Sequence, residues 1–162
     1  MISEPIKNAV IFGCTGPQLT EVEFKFFQEV LPFGFILFSR NIVNAKQVND
    51  LCKSLRDSVG WHAPILIDQE GGRVQRIKPP LALDRLPPLD EAQKAGSNAK
   101  SVFKVRFSAM ANELLSLGID FNCAPVLDIA RPSTHRFLRN RCYGLNKSCL
   151  LYTSDAADDR VS

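Results

Sequence analysis

The sequence predicts an α/β fold, and three observations point that way. Short apolar runs alternate with segments of helical period. The runs are continuous rather than alternating in polarity, which suits a parallel sheet covered by helices. Their starts, near residues 9, 35, 64 and 121, follow a regular strand–helix rhythm. A TIM (β/α)8 barrel needs eight such units over roughly 250 residues. This chain of 162 residues supplies about half. The expected architecture is therefore an incomplete TIM (β/α)8 barrel, about the first four βα units. A doubly wound open sheet is the alternative. Its Rossmann form is disfavoured because the first βα turn, "GCTGPQLT", lacks G-x-G-x-x-G.

The elements follow in order. "AVIF" (9–12) is the first strand, closed by Gly13 and Gly16. Thr20 and Glu23 make a capping-box signature, and Leu19, Val22, Phe26 and Val30 form the expected buried face of the first helix. "FILF" (35–38) is the second strand. Asn44 with Gln47 starts a second helix, continued by Val48, Leu51, Leu55 and Val59. "PILI" (64–67) is the third strand, and a Pro-containing loop is expected over about 71–97. Phe103, Phe107, Met110, Leu114 and Leu117 mark the longest helix, which should stop at Gly118. "DFNCAPVLDIA" (120–130) holds the fourth strand.

Composition excludes several classes. The chain is 45% hydrophobic and 23% charged, an ordinary globular balance. A net charge of +3 is too mild to imply a nucleic-acid partner. No apolar run approaches the roughly 18 residues of a membrane span. The N-terminal "MISEPIKNAVIFGCTG" carries Glu4 and too short an apolar stretch for a good secretion signal. The five cysteines, Cys14, Cys52, Cys123, Cys142 and Cys149, are odd in number and widely spaced, with no CxxC. They read as reduced cytoplasmic thiols rather than a disulfide framework or a zinc site. His62 and His135 are the only histidines, too few for a His-rich metal site.

Residues 149–162, "CLLYTSDAADDRVS", have no amphipathic period and no turn logic. "CLLYTSDAADD" resembles one translated frame of a common transposase-type sequencing adaptor. The expected organisation is therefore a natural domain over 1–148 and an adaptor-derived tail over 149–162. The tail holds Asp155, Asp158, Asp159 and Arg160, a net charge of −2, so residues 1–148 carry +5. The natural chain is expected to continue past Ser148.

"ILIDQEGGRVQRI" (65–77) raises the question of function, because an apolar strand runs straight into carboxylates, glycines and arginines. Ligands of α/β folds bind at the C-terminal strand ends. Polar residues gather there: Ser39, Arg40 and Asn41 after strand two, Asp68, Gln69 and Glu70 after strand three, Asp128 after strand four. A carboxylate can accept hydrogen bonds from a vicinal diol while a neighbouring arginine donates to the same hydroxyls. Gly71 and Gly72 would allow a tight turn and clear space for a ligand. The stretch thus reads as polyol recognition, most plausibly of a sugar. The competing structural reading pairs Asp68 with Arg73 or Arg76. Glu70 reads as structural rather than catalytic, and the basic run "HRFLRNR" (135–141) as a solvated loop.

"ILIDQEGGRVQRI", with "GFILFSRNI" before it and "APVLDI" and "NRCYG" after it, resembles glycoside hydrolase family 3, especially its bacterial cytoplasmic β-N-acetylhexosaminidases that recycle peptidoglycan. The resemblance covers about residues 8–148 and implies a TIM barrel. It implies substrate-binding roles for Asp68, Arg76 and Arg141, with Arg40, Asn41 and Asp128 in site architecture. Arg139 stands where the family usually has a glycine. The resemblance further implies a retaining mechanism through a glycosyl-enzyme. The family's nucleophile is a late aspartate, and this branch's acid/base is a histidine after a "KH(F/I)PGHG"-type motif. Neither segment is present, so no residue here is assigned as catalytic. No metal and no cofactor is implied. A carbohydrate substrate, no nucleic-acid or membrane partner, a cytoplasmic location and a monomer when complete are implied. The alternatives are a non-catalytic sugar-binding fragment and another family 3 glycosidase, a β-glucosidase or β-xylosidase. An aldolase-type barrel would need a Schiff-base lysine on a strand, and no strand carries one.

Overall fold

The structure, a computed structural model, describes residues 7–151. Residues 152–162, most of the expected adaptor tail, lie outside the described residues. Two compact units divide the chain. The first runs up to Asp68 and resumes over Leu114–Asn122; the second takes Gln69–Glu113 and the chain from Cys123 onward.

The first unit is a four-stranded parallel sheet with its crossover helices. β1 (Asn8–Phe12), β2 (Pro32–Leu37), β3 (Ile65–Ile67) and β6 (Phe121–Asn122) lie in that spatial order. All three pairings are parallel, with Phe35 opposite Ile65 and Leu66 opposite Phe121. Each new strand adds on the same side of its predecessor, as a barrel grows. A doubly wound sheet would reverse direction at its switch point. The fold is the first half of a (β/α)8 barrel.

The helices begin where the caps say they should. α1 (Glu21–Val30) has Thr20 as N-cap with a complete capping box to Glu23. α2 (Ala45–Val59) is capped by Asn44, whose side chain accepts from the Gln47 amide, and it ends on Gly60 in the left-handed region. Val48, Leu51, Leu55 and Val59 are all buried, as their spacing predicts. α1 is different. Val22 and Phe26 are exposed, and Phe27 is the buried residue, edge-on to Phe35 at 5.0 Å between ring centroids. The apolar stripe of α1 has two flanks, and the ring of Phe27 reaches β2 while its exposed neighbour Phe26 meets Phe12 edge-on.

Asp120 seats the start of β3. Its carboxylate accepts from the Ile65 amide at 2.9 Å and from Arg56 at 2.7 Å. Gly118, with φ 79°, makes the turn that leads into β6. The fourth strand is only two residues long, so Asp128 lies well past its end and is exposed, not at a strand terminus as expected.

In the second unit the expected loop over 71–97 is interrupted by regular structure, though 76–87 remain without strand or helix. β4 (Gln69–Gly71) and β5 (Val74–Gln75) form an antiparallel hairpin, and α3 is Pro88–Ala95. Periodicity missed both, because a two-residue strand and an eight-residue helix are shorter than the windows that reveal period. α4 (Ala99–Ser116) is the long helix expected from its apolar spacing. On it Phe103 and Phe107 pack with Tyr143, at 5.2 and 5.9 Å between centroids. The basic run read as a loop contains α5 (Arg136–Arg139), capped by His135. No described helix is long and apolar enough to cross a membrane.

Candidate sugar-binding site

The motif "DQEGGRVQR" spends most of its polar atoms on the hairpin itself. Gln69 is 1% exposed; its side-chain oxygen accepts from the amides of Arg76 and Ile77, and its nitrogen donates to the Ile77 carbonyl. Gln75, also buried, donates to the Ile77 and Leu83 carbonyls. Two buried primary amides thus satisfy backbone groups that a hairpin this short leaves without ladder partners. The Gly71–Gly72 turn has positive φ at both residues, 97° and 59°. The glycines do not clear space for a ligand, however. A β-carbon on Gly71 would meet Arg106 and the Leu86 carbonyl, and one on Gly72 would meet Pro87. The open side is filled from within the unit.

Arg106 is the residue that sequence reasoning missed. It is 5% exposed, on the same face of α4 as Phe103 and Phe107. Its guanidinium donates to the carbonyls of Glu70 and Leu86 and pairs with Glu91. Burial pulls its pKa below the ordinary arginine range. It remains a cation at neutral pH, because an arginine does not give up its proton in proteins. The available signal was a single charge placed three residues after Phe103 and four before Met110 on a core stripe.

Glu70 is the buried member of an ion pair. Its side chain is 2% exposed, whereas that of its partner Arg141 is 30% exposed. The pair is bidentate: Arg141 Nε donates at 2.8 Å to one carboxylate oxygen and Nη2 at 2.7 Å to the other. Two parallel charge-assisted bonds fix the plane of a guanidinium as well as its position. Arg139, where the family usually has glycine, ends α5 in helical conformation and donates to the Arg131 carbonyl at 2.6 Å. No left-handed residue is needed there, so the loop tolerates the arginine.

The structure distributes the expected site residues between the two units. Asp68 follows β3 directly, half-buried, and closes the first stretch of the first unit. Arg76 and Arg141 belong to the second, both half-buried; the first follows β5, the second follows α5. Arg73 is exposed, its guanidinium 4.5 Å from the centre of the Phe137 ring. In the first unit Asn41 is buried and donates to the carbonyls of Cys14 and Gly16, while Arg40 donates to Cys14 as well. These two residues hold the β1–α1 turn, which is an architectural role. A cavity of about 620 Å3, lined by Leu89, Ala92, Lys100, Tyr143 and Leu145 among others, contains none of Glu70, Arg76 or Arg141. Its apolar wall lacks the convergent polar groups that a sugar requires.

Consecutive parallel strands whose polar residues cluster after their C-terminal ends define a (β/α)8-barrel domain, here its first half. The chain belongs to glycosyl hydrolase family 3: residues 19–152 match the family's N-terminal domain. The β-hexosaminidase of Haemophilus influenzae is 34% identical over 124 residues, covering 75% of this chain and 35% of that protein. That of Stenotrophomonas maltophilia is 32% identical over 138 residues, covering 83% and 40%. Among solved structures, NagZ from Neisseria gonorrhoeae in complex with N-trifluoroacetyl-D-glucosamine superposes with a TM-score of 0.84 at 27% identity, covering 93% of this chain and 46% of that one. A family 3 β-N-acetylglucosaminidase from Paenibacillus gives 0.75 at 27% identity, covering 91% and 28%. The chain therefore spans less than half the length of these relatives.

Proposed function

We propose that the chain is the N-terminal part of a β-N-acetylhexosaminidase that removes terminal N-acetylglucosamine from peptidoglycan-derived glycosides. The observation that carries this reading is the agreement between relatives and structural neighbours. Curated relatives about one-third identical are β-hexosaminidases, and a close structural neighbour holds an N-acylglucosamine analogue. In this reading Asp68 accepts hydrogen bonds from sugar hydroxyls remote from the scissile bond, and Arg76 and Arg141 are substrate-binding donors. Catalysis belongs to the part of the parent that follows. There a carboxylate attacks the anomeric carbon, the aglycone leaves with a proton from the acid/base, and water releases the sugar with retention. The parent works in the cytoplasm as a monomer, with no cofactor and with neither nucleic acid nor membrane as partner.

The test is to sequence the source locus across codon 148 and express the complete product. Turnover of a chromogenic N-acetyl-β-glucosaminide, faster than of the matching glucoside or xyloside, is the expected result. The 162-residue chain alone should turn over neither. Preference for the glucoside or xyloside would move the parent to another branch of the family. A reading frame that stops near codon 148 would leave a non-catalytic sugar-binding fragment.

A further inference from the structure

Glu70 sits between two arginines that treat its two ends differently. Arg106, itself buried, donates to the Glu70 backbone carbonyl and so holds the residue's main chain. The Glu70 carboxylate in turn holds Arg141 by both oxygens. At Gly71, immediately after it, Arg106 and the Leu86 carbonyl fill the space that a β-carbon would take. Glu70 is therefore fixed from the backbone side and reaches outward to fix a more exposed guanidinium. An exposed arginine would otherwise spread over many rotamers, and freezing it on binding would cost affinity.

We infer that Glu70 is a positioning residue: anchored by Arg106, it pre-orients Arg141 for the sugar. The inference rests on the proposed sugar-binding role of Arg141. Glu70 touches no sugar and takes no proton in it. It acts by removing the ordering cost of Arg141 before substrate arrives. Arg141 grips hydroxyls in the ground and transition states alike, so the loss should appear in KM rather than kcat.

The experiment has two arms. In the complete enzyme, Glu70→Gln should raise KM for the N-acetyl-β-glucosaminide by roughly tenfold or more with kcat nearly unchanged. Glu70→Asp, which keeps the charge but shortens the reach, should fall between Glu70→Gln and wild type. In an Arg141→Ala background Glu70→Gln should add nothing, because both changes remove one coupled unit. An unchanged KM in Glu70→Gln, or a full additional loss in the double variant, overturns the inference. The second arm needs no activity. On the 162-residue chain, phenylglyoxal modification of Arg141, mapped by mass spectrometry, should be slow in wild type and at least severalfold faster in Glu70→Gln at matched melting temperature. Equal rates overturn the inference. If the complete wild-type enzyme turns over no hexosaminide, the proposed function falls, while the phenylglyoxal contrast still decides whether Glu70 restrains Arg141.

Discussion

The guanidinium of Arg106 occupies the space that a side chain on Gly71 would need. The relationship explains a glycine that turn chemistry alone does not. Gly71 has φ 97°, and an added β-carbon would also lie 2.8 Å from the Leu86 carbonyl oxygen, which is backbone and cannot swing away. Gly71→Ala should therefore destabilise the chain by about 2–4 kcal/mol, combining backbone strain with overpacking. Gly60 makes the control. It has φ 75° but open space where its β-carbon would go, so Gly60→Ala should cost about 1 kcal/mol. Urea unfolding of the two variants beside wild type measures both, and equal losses would show that Arg106 gives way.

Glu23 ties together the β1–α1 turn and the first turn of α1. Its carboxylate accepts from the Thr15 amide at 2.8 Å, and from the Thr20 amide at 3.0 Å and hydroxyl at 2.8 Å. Burial alone would raise its pKa, but these hydrogen bonds outweigh it and hold the group below the ordinary glutamate range. A depressed folded pKa adds stability above the unfolded value, about 4.3, and that stability is lost as pH falls through the lower folded value. The advantage of wild type over Glu23→Gln should thus be present near neutrality and vanish in acid. Urea midpoints of both proteins taken from about pH 6 down to about pH 3 should converge. Parallel curves would contradict the assignment.

How much of this was legible in the sequence depends on the range of the interaction. Thr20, Asn44 and Gly118 announced their caps and turn because capping is settled within three or four residues. The stripe Val48–Leu51–Leu55–Val59 announced its face because every member is buried on one side of α2. The α1 face was misjudged because adjacent phenylalanines, Phe26 and Phe27, offer period two equal solutions, and only β2 chooses between them. Asp68 and Arg76 stand in one motif and Arg141 in another, and their substrate-binding roles rest on the family resemblance. The Glu70–Arg141 pair was not, since it joins residues 71 apart in sequence. Arg106 was missed for the same reason: its partners come from the hairpin and from residues 86–91, and no local pattern says which carbonyls a buried guanidinium will find.

Thiol chemistry should sort the five cysteines by burial. Cys14 and Cys52 are buried, and burial pushes their thiols up to about 11 and about 12. Cys142 is also buried and raised, again chiefly by burial. Cys123 and Cys149 are exposed. The thiolate is the reactive form, so a disulfide reagent at about pH 8 should titrate two thiols quickly in the native chain and the other three only on unfolding. Mass mapping of the fast adducts should return Cys123 and Cys149. Rapid labelling of Cys52 would mean that α2 opens from the sheet far more readily than its buried stripe implies.

Among the described residues, no strand pairs with the outer edge of β1 or of β6. Val10, Ile11 and Phe121, on those two strands, are 40%, 46% and 56% exposed. Parallel strands are normally buried on both faces, and an unpaired apolar edge is a template for further pairing. The chain covers 46% of the Neisseria structure it superposes on, where the remaining length supplies more chain than this one has. Expressed alone, it should bind a hydrophobic dye and associate as loading concentration rises, followed by sedimentation velocity. Val10→Lys together with Phe121→Lys should shift the distribution toward monomer without lowering helix content, because the charges sit on edges rather than in the core. A wild-type chain that sediments as one monomeric species at every concentration and binds no dye would show that these edges are closed in solution, contrary to the open sheet described here.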